Sequence, residues 1–310
     1  MNKGNLPQIQ FVIDSRQMVA LTAILPKACH QATSTLYRCN RSIPLISNCI
    51  SHKQRIVQAT RQSFPVRAMS SVGTFEQKLK ALEELSACDI SDALLKLQNV
   101  PPGGQPRAGQ LADISPISPY IGRQAGKQKI IAPAVTFQFI PKGDPSPSVE
   151  NPEANGFPPG KHWVDWNERG TVAVLNQPPG QYCAVLGGIM AARMSYLGVK
   201  CVVVNGRVRD LAELSASGLH VWSKATTTVG TGAEAKAGLR NVPIDFNGVT
   251  VKTGDIVFCD PLEGVVVIPQ ELLDDVLELC PKLIDQDEKV KADVENGLSV
   301  FEAMQKHRNI

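Results

Sequence analysis

Short apolar runs that end at polar turns divide the second half of the chain into alternating strands and helices. The runs Thr171–Leu175 and Cys201–Val204 predict buried parallel strands, because four consecutive apolar residues suit a strand that is covered on both faces. A glycine pair, Gly187–Gly188, opens a helix between them, and residues 211–217 predict another helix after the second strand. We expect the polar pair Asn205–Gly206 to form a turn at the end of that strand.

The region before this alternation predicts helices, one strand and a long connection. Apolar residues recur every three or four positions from Phe75 to Leu97, which indicates helix, with a second helix start capped by Asp89 or Ser91. Residues 130–139 predict a strand. Residues 141–169 are rich in Pro, Gly, Asn and charge, which favours a surface excursion that its tryptophans pin to the core.

The region after the alternation predicts short strands and then helix. Apolar segments between residues 242 and 268 predict strands, two of which meet at the tight turn Asn247–Gly248. Residues 270–307 predict helix that is interrupted at Pro281 and Gly297. The three regions together predict an α/β fold, an α/β/α sandwich with a mixed sheet and a long C-terminal helical segment.

Charge is distributed unevenly along this chain of 310 residues. Residues 1–68 hold nine Lys or Arg and one acid, which leaves 23 Lys or Arg and 28 Asp or Glu in the rest, a net charge of −5. An acidic body argues against nucleic-acid binding through a basic face. No apolar run approaches the roughly 20 residues of a membrane span, so we expect no membrane attachment.

The amino-terminal segment has the composition of a targeting sequence. It is rich in Arg and Ser and poor in acids, as mitochondrial presequences are, and cleavage would leave a chain from about Ser70. Alternatively, Met69 is the true start and the preceding segment is untranslated. We therefore predict that residues 1–69 are a disordered extension, that residues 70–310 are one domain, and that the protein is mitochondrial or cytoplasmic.

Cysteine and histidine do not show the spacing of a metal site. The eight cysteines include no CxxC pair, and none of the five histidines is paired at ligand spacing. Scattered cysteines in apolar segments are typical of buried thiols in a reducing compartment.

The strongest candidates for chemistry are Arg209 and Asp210. They follow a predicted central strand, and open α/β sheets bind ligands at the carboxyl ends of their strands. An arginine can bind an anionic substrate while a neighbouring aspartate binds a metal. Two adjacent opposite charges on a loop also form weak surface ion pairs, so that interpretation stays open.

Two further segments carry candidate groups. The glycine pair at a helix start offers free N–H groups to an anion, although such glycines more often allow tight packing. If its loop meets Arg209 and Asp210, a single aspartate plus waters suits Mg²⁺ or Mn²⁺. Asp260 and Glu263 also lie at strand ends, either as turn residues or as catalytic acids that act across a subunit boundary.

In their order and spacing, these motifs resemble a known family. The segments concerned are Ser91–Leu94, Gly187–Gly188, Asn205–Asp210, Gly254–Asp255 and Glu263–Pro269. Over about residues 75–310 the chain resembles the regulator of RNase E activity A and the class II 4-hydroxy-4-methyl-2-oxoglutarate aldolases. The resemblance implies a swivelling β/β/α fold, assembled as trimers or hexamers with active sites between subunits.

The aldolase branch implies roles for particular residues. Arg209 would bind the pyruvate-like part of the substrate, and Asp210 would bind Mg²⁺ or Mn²⁺. Backbone amides of the loop would hold the substrate carboxylate, and the substrate-binding residues are Gly187, Gly188, Ile189, Met190 and Arg209. Asp260 and Glu263 join Arg209 as catalytic candidates.

The chain differs from the aldolase pattern at two places. The aldolases usually have an acid where this chain has Gly188, and the segment from Asp260 to Gly264 is one residue longer than usual. The resemblance still implies a metal-dependent enzyme that cleaves 4-hydroxy-2-oxo acids to pyruvate and decarboxylates oxaloacetate. The alternative is a non-catalytic regulator of the same fold that binds an RNA-processing enzyme.

Overall fold

Helices and strands alternate through most of the part of the chain that the computed structural model describes, residues 73–100, 102–119 and 128–308. The predictions for residues 1–69 lie outside these ranges. The helices are α1 (Phe75–Leu82), α2 (Ala87–Leu97), α3 (Pro152–Asn155), α4 (Gly188–Leu197), α5 (Leu211–Ala216), α6 (Leu273–Glu295) and α7 (Val300–Arg308). The strands are β1 (Ser115–Ser118), β2 (Ile130–Pro141), β3 (Val172–Asn176), β4 (Ala184–Leu186), β5 (Cys201–Val208), β6 (His220–Thr226), β7 (Ala235–Arg240), β8 (Ile244–Phe246), β9 (Val249–Val251), β10 (Ile256–Asp260) and β11 (Gly264–Ile268).

The main sheet is mixed, which confirms the predicted fold class. Its strand order is β1-β6-β5-β3-β2-β10-β11, with β4 paired to β5 and β7 paired to β2. The pairs β2–β3, β3–β5 and β5–β6 are parallel, whereas β1, β10 and β11 are antiparallel to their neighbours. Strands β8 and β9 form a separate hairpin. Its turn is Asn247–Gly248, as predicted, with positive φ at both residues.

The sheet curls, so that two sheet layers lie between two helical layers. Ala173 and Leu175 of β3 face a core that includes residues of α4 and α5, while Val172 and Val174 face a second core shared with β10 and β11. The other faces of β10 and β11 pack against α1, α2 and α6. This alternation along each strand places helices on both outer sides, as the sandwich prediction requires.

Tertiary contacts override the sequence pattern at β5. The strand continues through Asn205 and Gly206 to Val208, so the expected turn at the Asn-Gly pair is wrong. The side chain of Gln177 lies against Gly206, where a Cβ atom would approach its Oε1 to 2.1 Å, and that oxygen accepts from the Arg207 N–H at 2.9 Å. Only glycine can lie in this strand beside Gln177.

Helix starts and breaks also differ from the predictions. Ser86 caps α2 and Asp89 completes the capping box by accepting from the Ser86 N–H, so the predicted cap at Asp89 or Ser91 is wrong. Helix α6 continues through Pro281, because burial of Val276 and Cys280 against α2 outweighs the lost backbone hydrogen bond. The predicted break at Gly297 is present between α6 and α7.

The excursion from residue 141 to 169 is attached to the core through an aromatic side chain. Trp163 contacts Phe137 and Phe139 edge-on, with ring centroids 5.6 and 5.2 Å apart. Both partners are buried in β2, so the excursion is fixed against the sheet, as predicted. None of the helices in the described ranges is both long enough and apolar enough to cross a membrane.

Candidate active site

Arg209 and Asp210 follow β5 directly, at the carboxyl edge of the parallel strands. The Arg209 N–H donates to the Leu186 carbonyl at 3.0 Å, which joins this segment to the loop before α4. Asp210 has φ 61° and ψ 50°, a left-handed conformation that aspartate tolerates better than most residues. This conformation ends the strand and starts α5.

The Asp210 carboxylate contacts the neighbouring helix instead of capping its own. No side-chain hydrogen bond caps α5, and Oδ2 accepts from the Gly188 N–H at 3.2 Å. Position 188 is the first residue of α4, so the carboxylate lies at that helix's amino terminus, where the helix dipole favours negative charge. The left-handed backbone of Asp210 therefore brings an acid of β5 to the start of α4.

Arg209 lies beside this carboxylate in a partly open position. Its Nε atom is 3.4 Å from Asp210 Oδ2, and the two side chains are 42% and 35% exposed. A Cβ atom on Gly230 would lie 3.0 Å from Arg209 Nη1, so the loop after β6 passes next to the guanidinium. An ion pair this exposed contributes little to stability, and both groups can bind a ligand at low cost.

Two acidic side chains lie so close to the glycines at the start of α4 that neither position has room for a side chain. A Cβ atom on Gly187 would lie 2.8 Å from Asp210 Oδ2, and one on Gly188 would lie 1.9 Å from Glu213 Oε2. The first bond of the helix ladder is from Ala191 N–H to the Gly187 carbonyl, at 3.0 Å. The amides of residues 189 and 190 precede that bond, so the ladder leaves them for a ligand.

One part of the expected carboxylate-binding loop needs correction. Of the three amides at Gly188, Ile189 and Met190, the first already donates to Asp210. The Ile189 side chain is 75% exposed, whereas Met190 packs partly against the core. The amides of Ile189 and Met190 are therefore the two of this loop that remain for an anionic ligand.

Glu234 holds in place the chain segment that precedes β4 and leads to this loop. Its Oε2 atom accepts from the N–H groups of Tyr182 and Cys183 at 2.7 and 2.6 Å. These two hydrogen bonds hold the pKa of the Glu234 carboxyl below its usual value. The segment that leads through β4 to the glycine pair is thereby tied to the start of β7.

Within one chain, Asp260 and Glu263 lie at the opposite edge of the sheet from Arg209. Cys259 pairs with Ile130, at the amino end of β2, and β2 runs parallel to β3 and β5. Asp260 is buried and its Oδ1 accepts from the Leu262 N–H at 2.9 Å. The single chain therefore does not bring these two acids to the Arg209–Asp210 pair.

Glu263 has a structural contact at its own end of the sheet. Its Oε2 atom accepts from the Cys88 N–H at 3.2 Å, at the start of α2. Burial raises the pKa of the Cys88 thiol, and the nearby Glu263 charge raises it further. Glu263 thus compensates an unsatisfied amide at a helix amino terminus.

The donor set at the carboxyl edge fits a hard divalent cation that keeps waters. No group of three His, Cys, Asp or Glu side chains in the described residues is arranged to hold a metal ion. Asp210 and Glu213 both reach the start of α4, and Mg²⁺ is commonly bound by one or two carboxylates together with waters and substrate oxygens. The side chains present therefore fit Mg²⁺ or Mn²⁺ better than zinc.

Comparison with known proteins assigns the chain to a family. A family model described as RraA-like, Aldolase/RraA, matches residues 87–267, which is more than half of the chain. The chain belongs to the RraA-like family. The matched segment contains every candidate site residue at both edges of the sheet.

Individual curated proteins resemble the chain at modest identity. Protein DlpA of Legionella pneumophila is 24% identical over 230 residues, which cover 74% of this chain but only 34% of that protein. A protein of Azotobacter vinelandii, provisionally named a 4-hydroxy-4-methyl-2-oxoglutarate aldolase, is 32% identical over 112 residues, covering 36% of this chain and 68% of that protein.

The fold of the chain is shared with solved structures. Streptomyces coelicolor RraAS2, described as an unusual member of the RNase ES inhibitor RraA protein family, has a TM-score of 0.54. The sequence identity is 20%, and the match covers 70% of this chain and 98% of that chain. At this identity the similarity shows the fold alone.

Sequence reasoning missed two residues of the candidate site. Glu213 falls inside a helical pattern, and Gly230 lies in a polar loop, so neither has a local signal. The one available clue was Gly188, because a glycine at the first position of a helix indicates close approach by another group.

Proposed function

We propose that the protein is a divalent-metal-dependent aldolase that cleaves 4-hydroxy-2-oxo acids to pyruvate and decarboxylates oxaloacetate as a side activity. The observation that carries this proposal is the contact of the Asp210 carboxylate with the start of α4 beside the Arg209 guanidinium. Membership of the RraA-like family and the name of the Azotobacter vinelandii relative support it.

Each residue of the carboxyl edge has a role in this proposal. Arg209 binds the 2-oxo oxygen and stabilises the negative charge that develops there as the C3–C4 bond breaks. The amides of Ile189 and Met190 hold the substrate carboxylate, and Asp210 holds the cation. A bound Mg²⁺ or Mn²⁺ would supply Lewis-acid stabilisation of the same developing charge.

The proposal also assigns a role to a second copy of the chain. Cleavage needs a group that takes up a proton from the 4-hydroxyl, and the acids at the opposite edge are candidates for it. We place Asp260 and Glu263 of a neighbouring subunit at the Arg209–Asp210 edge, in a homotrimer or hexamer. The substrate is a small 2-oxo acid, and nucleic acid and membrane play no part.

The test is pyruvate release from oxaloacetate and from 4-hydroxy-4-methyl-2-oxoglutarate by the full chain. Turnover with Mg²⁺ or Mn²⁺ that EDTA abolishes is the expected result. Folded protein that turns over neither compound with metal present would favour a non-catalytic regulator that binds an RNA-processing enzyme.

A further inference from the structure

Glu213 is the third residue of α5, and its side chain lies directly against the first residue of α4. A Cβ atom on Gly188 would lie 1.9 Å from Glu213 Oε2, 2.7 Å from its Cδ and 2.4 Å from its Cβ. Heavy atoms cannot approach so closely, and one of these contacts is with Glu213 Cβ, which cannot swing away as the end of the side chain can. The Glu213 carboxylate can lie against the start of α4 only because residue 188 has no side chain.

The carboxylate of Glu213 is available to a ligand. Among the described residues, no hydrogen bond or ion pair holds it, and the residue is exposed. Two other exposed acids, by contrast, are paired, Glu278 with Lys282 and Asp285 with Lys289. An exposed acid beside the Asp210 carboxylate can share a divalent cation with it.

We propose that Glu213 is the second carboxylate of the site and binds the divalent cation together with Asp210. This inference rests on the proposed function, because it takes the cation of that reaction as the ligand. The Glu213 carboxylate reaches the start of α4 from α5, and glycine at position 188 makes room for it.

The first test is the affinity for Mn²⁺ of the full chain and of Glu213→Gln, measured by isothermal titration calorimetry without substrate. Glutamine keeps the shape of the side chain and loses its charge, so we expect affinity to fall by about tenfold or more. Glu84→Gln is the control, because it removes one exposed acid near α1 and α2, on the other side of the molecule. That variant should bind Mn²⁺ as the unaltered chain does.

The second test displaces the carboxylate without removing it. Gly188→Ala introduces the Cβ atom that collides with Glu213 and should weaken Mn²⁺ binding, although no charged group is lost. In a Glu213→Gly background the three nearest atoms that the new Cβ would meet are gone, so the same change should have no further effect. This double-mutant cycle separates displacement of Glu213 from general damage to α4.

The outcomes separate the two proposals. If the unaltered chain binds Mn²⁺ and releases pyruvate but Glu213→Gln binds Mn²⁺ equally well, the role of Glu213 is wrong and the proposed function stands. If the unaltered chain neither binds Mn²⁺ nor releases pyruvate, both are wrong. If Glu213→Gln lowers the melting temperature of the metal-free protein but not the affinity, Glu213 only stabilises α5, and the inference is overturned.

Discussion

The two edges of the sheet each carry a pair of acids, but these acids are engaged in different ways. At the carboxyl edge, Asp210 reaches out of its own helix to α4, and Glu213 has no partner among the described residues. At the opposite edge, Asp260 holds a turn and Glu263 accepts from the first turn of α2. The two pairs of acids therefore differ in the hydrogen bonds that their carboxylate oxygens already accept. The carboxylates of the first pair both lie at the start of α4, where they can share a cation, whereas in the second pair Asp260 holds a turn and Glu263 holds the start of a different helix.

The largest expected effect comes from removing the charge of Asp210. Asn tolerates the left-handed backbone as well as Asp does and can still accept from the Gly188 N–H, so Asp210→Asn should fold normally. We expect metal-dependent pyruvate release to fall by about 10²–10³-fold, as for loss of a transition-state stabiliser. Steady-state assays with both substrates measure this.

A control with the same backbone constraint is available. Asp113 also has a positive φ, 62°, and is exposed in the loop before β1. Asp113→Asn should keep full activity. Equal activity of Asp210→Asn and the unaltered chain would remove Asp210 from the mechanism.

The second prediction tests whether Glu263 of one subunit acts at the Arg209–Asp210 edge of its neighbour. Glu263→Gln should reduce turnover by about 10²-fold, because an acid–base group of the neighbouring site is lost. Mixing this inactive variant with Asp210→Asn under conditions of subunit exchange should restore part of the activity, since some sites then contain neither change. Activity that stays absent in the mixture would show that the two edges do not meet between copies.

The third prediction concerns stability alone and uses Asp255, at the turn before β10. It is buried and accepts from the N–H groups of Lys252 and Gln270 at 2.7 and 3.1 Å, and burial raises its pKa. Asp255→Ala should cost about 2 kcal/mol, because buried amides lose their acceptor. Thermal unfolding should show a melting temperature about 4–8 °C lower. A loss of turnover at temperatures where the variant is folded would contradict a purely structural role.

The smallest effect is a pH dependence at Glu234. Its pKa is lowered in the folded state, so its hydrogen bonds to Tyr182 and Cys183 stabilise the fold above the ordinary glutamate pKa and are lost as pH falls through the lowered value. Hydrogen exchange of these two amides, corrected for intrinsic rates, should therefore speed up several-fold as pH falls below the ordinary glutamate pKa. In Glu234→Gln that acceleration should disappear, and its persistence would assign the pH response to another group.

Periodicity predicts the elements of this fold well, but contacts between elements decide the details. Arg209 and Asp210 follow a central strand, as the apolar run at Cys201 indicates, because strand burial is encoded locally. The turn expected at Asn205–Gly206 is absent because Gln177, from another strand end, occupies the space beside the glycine. Local turn propensity is a weak preference that such contacts override.

The candidate site could be predicted only in part for the same reason. The resemblance to the family identifies Arg209, Asp210 and the glycine pair from their motifs. The contact of Glu213 with Gly188 joins two helices and leaves no periodic signal in the sequence. The separation of Asp260 and Glu263 from Arg209 depends on strand order, which the pattern of elements does not determine.

The most direct test of the account is pyruvate release from oxaloacetate and 4-hydroxy-4-methyl-2-oxoglutarate by the full chain and by Asp210→Asn, with Mg²⁺, with Mn²⁺ and with EDTA. The account predicts metal-dependent turnover by the unaltered chain that is lost in EDTA and falls about 10²–10³-fold in the variant. No turnover of either compound by folded protein with metal present would contradict it.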